Sequence, residues 1–150
     1  PIIAMVIGRA ISGAFLCHGL QADHILSLTS EFGTMIHVMP LSSIARITRQ
    51  DVERLSELSR TNPVFAAGPE FFWQLGGVEA LIKAIPEMKG TIVRHIAEVR
   101  QQKQAAGVTS TGPQGRGSAG EDRGGRKMRN VILAQMREEY RAVAACYLPA

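Results

Sequence analysis

Apolar positions along this chain recur in short bursts whose period changes from segment to segment. Pro1 to Ile7 (PIIAMVI) is a β-branched run, Gly8 follows, and Arg9-Ala10-Ile11 resumes the apolar character before Ser12-Gly13. Strand, turn and second short strand predict a hairpin over residues 1–13, with a single strand entering a helix as the competing reading. Beyond Gly19, the residues Leu20, Ile25, Leu28 and Phe32 fall roughly on one helical face, and Gly33 is a suitable stop. Met35-Ile36-His37-Val38 reads as a strand, and Pro40 opens a short helix with Leu41, Ile44 and Ile47 facing inward. Thr48 caps a further helix through the box Thr48-Arg49-Gln50-Asp51, and Val52, Leu55 and Leu58 form its stripe.

Thr61-Asn62-Pro63 breaks that helix, and Gly68-Pro69-Glu70 starts another, because proline tolerates the first helical position. Phe71, Phe72 and Trp73 give this segment most of its aromatic mass. Gly76-Gly77 interrupts, Val78, Leu81, Ile82 and Ile85 resume an apolar face, and Pro86 marks a boundary. A long helix follows from Glu87 to Gln104, with Met88, Ile92, Ile96 and Val99 on one side. Residues 105–125 contain eight glycines and prolines and one large apolar residue, Val108, so a flexible loop is expected there. A last helix spans about 126–147, with Ile132, Met136, Tyr140 and Val143 as its buried stripe. The expected fold is mainly α: one domain over 1–150, a bundle of about six to seven helices with an N-terminal β-hairpin. No internal repeat is visible.

Composition changes this picture little. The chain has 150 residues, enough for one domain with a core, and its 5% aromatic content makes that core aliphatic. A net charge of +4 permits weak attraction of anions without demanding nucleic acid. Cys17 and Cys146 are isolated and read as free thiols. No run is long enough to span a bilayer. The apolar opening is reminiscent of a signal peptide, but Arg9 interrupts it and no basic segment precedes it.

Candidate chemistry concentrates at the amino end. A bare Pro1 implies processing, and its freed secondary amine is a cation that seeks water or a carboxylate. Asp51 is the candidate carboxylate, because it stands where a helix offers free N–H groups and a positive end. Gly115-Arg116-Gly117-Ser118-Ala119-Gly120 matches the dinucleotide pattern letter for letter, but the strand before it and helix after it that the mechanism needs are not predicted. Arg123-Gly124-Gly125 is a single weak echo of single-strand nucleic-acid binders. His18, His24, His37 and His95 show no ligand spacing, so no metal is assigned. No nucleophile motif is present.

Two families share parts of this pattern. Pro1-Ile2-Ile3-Ala4 resembles the opening of the tautomerase superfamily, which implies an enzyme with Pro1 as base, yet no second β-α-β unit follows. Pro1, a turn at Gly8 and Asp51 within Thr48-Arg49-Gln50-Asp51 are similar to the N-terminal domain of retroviral Gag capsid proteins, exogenous or endogenous. The lentiviral form of that box is T-P-Q-D, so Arg49 departs from it. The ending Arg137-Glu138-Glu139-Tyr140-Arg141-Ala142-Val143 and the Gln114-Gly115-Arg116-Gly117 loop look like those of avian-type capsids.

The capsid resemblance implies a structural self-assembly protein without catalysis, forming hexamers and pentamers in a virion or in host cytoplasm. It implies a maturation contact between Pro1 and Asp51, formed only after cleavage. It further implies polyanion binding at a ring pore by Arg9 and His18, with an inositol phosphate or nucleotide as the only ligand and no cofactor. A cyclophilin would dock on the loop at Gly112 and Pro113. No membrane and no specific nucleic acid is implied. A small helical domain binding nucleic acid or protein is the remaining alternative.

Overall fold

Five short strands form two parallel sheets, and consecutive strands alternate between them. The computed structural model describes residues 1–61, 67–107 and 115–147. The strands are β1 (Ile3–Val6), β2 (Arg9–Ile11), β3 (His24–Leu28), β4 (Met35–His37) and β5 (Ala80–Ile82). One sheet has the order β1-β3-β5 and the other pairs β2 with β4. Ile3 sits opposite His24, Leu26 opposite Ala80, and Arg9 opposite Met35. The chain therefore climbs as a staircase, placing one strand in each sheet before it turns back. Parallel neighbours need a crossover, and residues 7–23 supply it between β1 and β3 through β2, a π turn at Ala14–His18 and a 3₁₀ turn at Gly19–Gln21.

Six α-helices complete the described chain: α1 (Leu41–Thr48), α2 (Val52–Thr61), α3 (Pro69–Gln74), α4 (Met88–Ala106), α5 (Arg116–Asp122) and α6 (Arg129–Val143). Two apolar clusters hold the layers together. Val6 and Ile25 meet Ile36, Phe15 and Val78 between the two sheets. Leu26, Leu28 and Ile82 meet Met88 and Ile92 of α4 on the opposite face of the three-stranded sheet. β3 is thus covered on both sides, which is why its sequence shows no polar alternation.

The mainly-α expectation holds in that coarse form, and several finer ones do not. No N-terminal hairpin forms: β1 and β2 lie in different sheets. Gly8 lacks the positive φ that a tight hairpin turn demands, so the chain steps sideways instead of reversing. The helix expected from Leu20 to Phe32 is strand β3 followed by a 3₁₀ turn, although Gly33 does end that turn at φ 72°. The apolar face at Val78–Ile85 contains strand β5. Thr48 closes α1, its hydroxyl donating to the Ile44 carbonyl, and does not open α2. These sheets do not fit a capsid-type bundle. The stripe of α6 is exposed, and the flexible loop expected over 105–125 contains the docked helix α5.

Candidate functional site

Among the described residues two non-glycines have positive φ, Arg49 (φ 55°) after α1 and Ser12 where β2 ends. Ser12 has φ 50°, a left-handed conformation that a serine adopts only when its surroundings compel it. Its N–H donates to the His37 carbonyl at the end of β4 (2.9 Å), and its carbonyl accepts the first turn bond, from Leu16 (3.0 Å). The N–H groups of Gly13 and Ala14 precede that bond and so point ahead of the turn. Ser12 and Gly13 are exposed, while Phe15 is buried edge-on against Phe72 with ring centroids 5.1 Å apart. An aromatic anchor thus fixes an exposed Ser12-Gly13 turn at the carboxyl end of a parallel strand, the edge where such folds bind ligands.

Three arginines clamp the segment after α3. Arg116 donates to Glu79 Oε1 (2.9 Å) and to the carbonyls of Leu20 (2.7 Å) and Ala22 (2.9 Å). Glu79 uses its other oxygen for the Ile25 N–H. Arg123 donates to the Trp73 and Val78 carbonyls and lies 4.6 Å above the Trp73 ring, and Arg126 donates to the Leu75 carbonyl. The glycine spacing of the dinucleotide-like segment has its explanation here. A Cβ on Gly120 would come 2.4 Å from the Leu75 carbonyl oxygen, and one on Gly76 (φ 78°) would come 2.1 Å from that of Arg116. Glycine at these two positions lets two backbones touch. Thr29, Ser30, Glu70, Lys83 and Arg123 border an open cleft of about 580 Å³ beside this clamp.

A third polar group lies between α4 and the first sheet. Asp23 is buried and is paired with Lys103 (2.8 Å), while also accepting the Ile2 N–H (2.7 Å). Beside it, His24 Nδ1 and His95 Nδ1 are 2.8 Å apart, and His95 Nδ1 is 3.1 Å from Glu98 Oε2. Burial holds His95 below its ordinary pKa, against the opposing pull of Glu98.

The sequence-derived site residues are scattered. Among the described residues no ion pair joins Pro1 to Asp51, and both are exposed. Asp51 instead accepts the Glu53 N–H (2.8 Å) and caps α2, and the carboxylate near the chain's start is Asp23. Arg9 opens β2 and His18 closes the π turn, both exposed. Gly112 and Pro113 lie outside the described residues. Among the described residues, no helix is long and apolar enough to cross a membrane. The strained Ser12 carried no sequence signal beyond Ser12-Gly13 after a short strand. The histidine pair carried none, because 71 positions separate its members.

Comparison with known proteins gives a consistent answer. The family model for the malonate decarboxylase gamma subunit (MdcE) matches residues 1–140. The malonyl-S-ACP:biotin-protein carboxyltransferase MADD of Malonomonas rubra is 62% identical over 144 residues, covering 96% of this chain and 49% of that protein. A Pseudomonas malonate decarboxylase hetero-tetramer in complex with malonate superposes with a TM-score of 0.60 at 22% identity, covering 93% of this chain and 51% of that one. The Pseudomonas MdcD-MdcE hetero-dimer gives 0.55 at 24%, covering 90% and 51%. At these identities the superpositions show the fold alone, and the chain spans about half the length of the relatives it matches.

These findings overturn the capsid resemblance and what hung on it: the assembly function with its maturation contact, the absence of catalysis, and the virion or host-cell setting. The matched relatives are enzymes, and none is a capsid or a tautomerase. The hexamer and pentamer expectation conflicts with the hetero-oligomers among the structural neighbours, although the expectation of protein partners stands. Capsid-like features arose because a short β-branched start and an acid at a helix N-terminus are common solutions to local folding, carrying little family information.

Proposed function

This chain belongs to the malonate decarboxylase gamma subunit family, and from that premise we propose that it forms part of a carboxyltransferase subunit that moves the carboxyl group of a malonyl thioester to a protein-bound biotin. The observation that carries this reading is the 62% identity to a malonyl-S-ACP:biotin-protein carboxyltransferase across nearly the whole chain. In such a transfer the bond between the carboxyl carbon and the methylene carbon breaks. Its electron pair moves toward the thioester carbonyl, whose oxygen becomes an enolate. The carboxyl carbon bonds to a biotin nitrogen, that nitrogen gives up its N–H proton, and the methylene carbon takes up one proton to give the acetyl thioester, so the transfer is proton-neutral.

The demanding moment is the build-up of charge on that oxygen. Preorganised backbone N–H groups stabilise such charge without reorganising during the reaction. The exposed turn Ser12-Gly13, with Gly13 and Ala14 N–H groups ahead of the first turn bond, is suited to the task. Its accessibility, its left-handed Ser12 and its anchoring by Phe15 against Phe72 support this assignment. The second subunit of the assembly would cover the apolar face of α6.

The test uses the full-length chain with its partner subunits, a malonyl-S-ACP labelled in the free carboxyl, and the biotin protein. Label should appear on the biotin protein with the natural chain. Gly13→Pro, which removes one N–H, should lower kcat about 10²–10³-fold while KM and the melting temperature change little. A natural chain that transfers no label in the complete system would overturn the reaction. A Gly13→Pro variant of undiminished kcat would overturn the site.

A further inference from the structure

The interface between α4 and β3 gathers ligand atoms that neither the packing nor the carboxyl transfer uses. His24 opens β3, and His95 and Glu98 are three residues apart on one face of α4. Their nitrogen and carboxylate atoms all lie within 4.8 Å of one another, with separations of 2.8 and 3.1 Å for the two closest pairs. We propose that His24 Nδ1, His95 Nδ1 and a Glu98 carboxylate oxygen bind a divalent transition-metal ion of the zinc class, fastening α4 to the sheet.

The close approach of the two rings, together with the chemistry of the donor set, carries this. Two imidazole nitrogens face each other across 2.8 Å, where only one proton fits between them. A neutral pair must therefore place one ring in the Nδ1–H form, with the other ring's lone pair aimed at the same point. A tetrahedral zinc ion, with bonds of about 2.0–2.1 Å, spaces its ligand atoms roughly 3.3 Å apart, so a small parting of the rings seats it. The donor set of two imidazoles and one carboxylate is the one such ions take, with the remaining position left for water.

The frame is rigid as well. Val99, next on the same face of α4, is buried, and the Asp23–Lys103 pair pins the helix one turn further along. Access is open on one side only, since the Glu98 side chain is 41% exposed whereas that of His95 is 9% exposed. One feature weakens the site. Among the described residues, His95 Nε2 is buried without a hydrogen-bond partner. An ion on Nδ1 shifts that ring's proton to Nε2, where no carboxylate or carbonyl of the described residues receives it. Lack of such an outer partner typically lowers metal affinity 10–100-fold, so micromolar binding is expected in place of the tighter grip of a four-ligand structural site.

Cobalt and zinc serve as probes on the full-length chain after chelator treatment. One equivalent of Co²⁺ should produce the intense visible absorption of a four- or five-coordinate ion, and Zn²⁺ should bleach it and raise the melting temperature. His24→Ala should abolish the band. Glu98→Gln, a change on a partly exposed side chain that leaves packing intact, should weaken binding at least about 10-fold. Circular dichroism establishes that each variant is folded, and if His24→Ala is not, Glu98→Gln decides alone. Absence of the cobalt band at millimolar metal overturns the site. So does a band of unchanged strength in the variants, which would place the ion on Cys17, Cys146 or His18.

Discussion

Helices α4 and α6 look alike in sequence and end in opposite circumstances. Each is a long amphipathic helix with an aliphatic stripe at helical spacing. The stripe of α4 lies on Leu26, Leu28 and Ile82 of the sheet, and Val99 within it is 2% exposed. On α6, Ile132, Met136, Tyr140 and Val143 have no such floor among the described residues, and Met136 is 58% exposed. Periodicity records that a helix has an apolar face, but the covering surface belongs to other residues. For α4 that surface is within the chain. For α6 the patch is left exposed among the described residues.

The comparison breaks most visibly at the clamp. α5 and the segment leading into α6 are held to the body by Arg116, Arg123 and Arg126, whereas α4 is held by the core. Arg116 and Glu79 are largely buried, with side-chain exposures of 12% and 17%. Arg116→Ala removes the donor to Glu79 Oε1 and to two carbonyls, leaving the Glu79 carboxylate only the Ile25 N–H named above, and breaking such a buried pair costs about 3–5 kcal/mol. The expected outcome is local: hydrogen exchange over residues 115–143 accelerates toward that of an open segment, while α4 amides keep their protection. Equal acceleration in both helices would show that the clamp supports the whole fold, and the contrast drawn here would fail.

Matched truncations sharpen the contrast next. Ile82 lies beneath α4 at 1% exposure and Ile132 on α6 at 50%. Ile82→Ala should cost about 2–5 kcal/mol in urea unfolding, through lost transfer energy and the cavity left behind. Ile132→Ala should change stability by no more than about 0.5 kcal/mol. Association with the partner subunit should reverse the ranking. Ile132→Ala should weaken it while Ile82→Ala, at temperatures where it is folded, should not. A stability loss for Ile132→Ala as large as that for Ile82→Ala would mean that α6 is already covered.

The elements that could be read from sequence are those whose cause is local. Pro69 begins α3, Gly33 ends a turn, and α4 runs close to its expected bounds because caps and periodicity sit within the segment itself. β3 and β5 were misread because five- and three-residue apolar runs covered on both faces show neither period. The run 115–125 looked like a loop because glycine at close backbone contacts and glycine in flexible chain are the same letter. The clamp and the histidine pair join residues 37 to 96 positions apart, so no window of the sequence contains them. The strained turn at Ser12 is a product of β2 and β4 pairing, which the expected hairpin forbade.

The smallest effect is a pH dependence at the start of α3, outside the α4 packing. Glu70, at the start of α3, accepts both the N–H and the hydroxyl of Ser30 through one oxygen (2.8 and 2.9 Å). Partial burial pushes its carboxyl upward, but the Ser30 N–H, its own backbone N–H and the Ser30 hydroxyl outweigh that, and the net shift is below the ordinary 4.5. A carboxyl depressed on folding contributes stability above its unfolded pKa and loses it as pH falls through the folded value. The contact is exposed and screened, so the contribution is about 0.5 kcal/mol or less, a melting shift of roughly 1–2 °C. Glu70→Gln should therefore melt slightly below the natural chain at pH 7, and the two should converge as pH falls below about 4.5. Hydrogen exchange should place the difference in α3 and its docked segment α5, with α4 unaffected. A gap between the two proteins that persists unchanged into acid would assign the Glu70 effect to packing in place of charge.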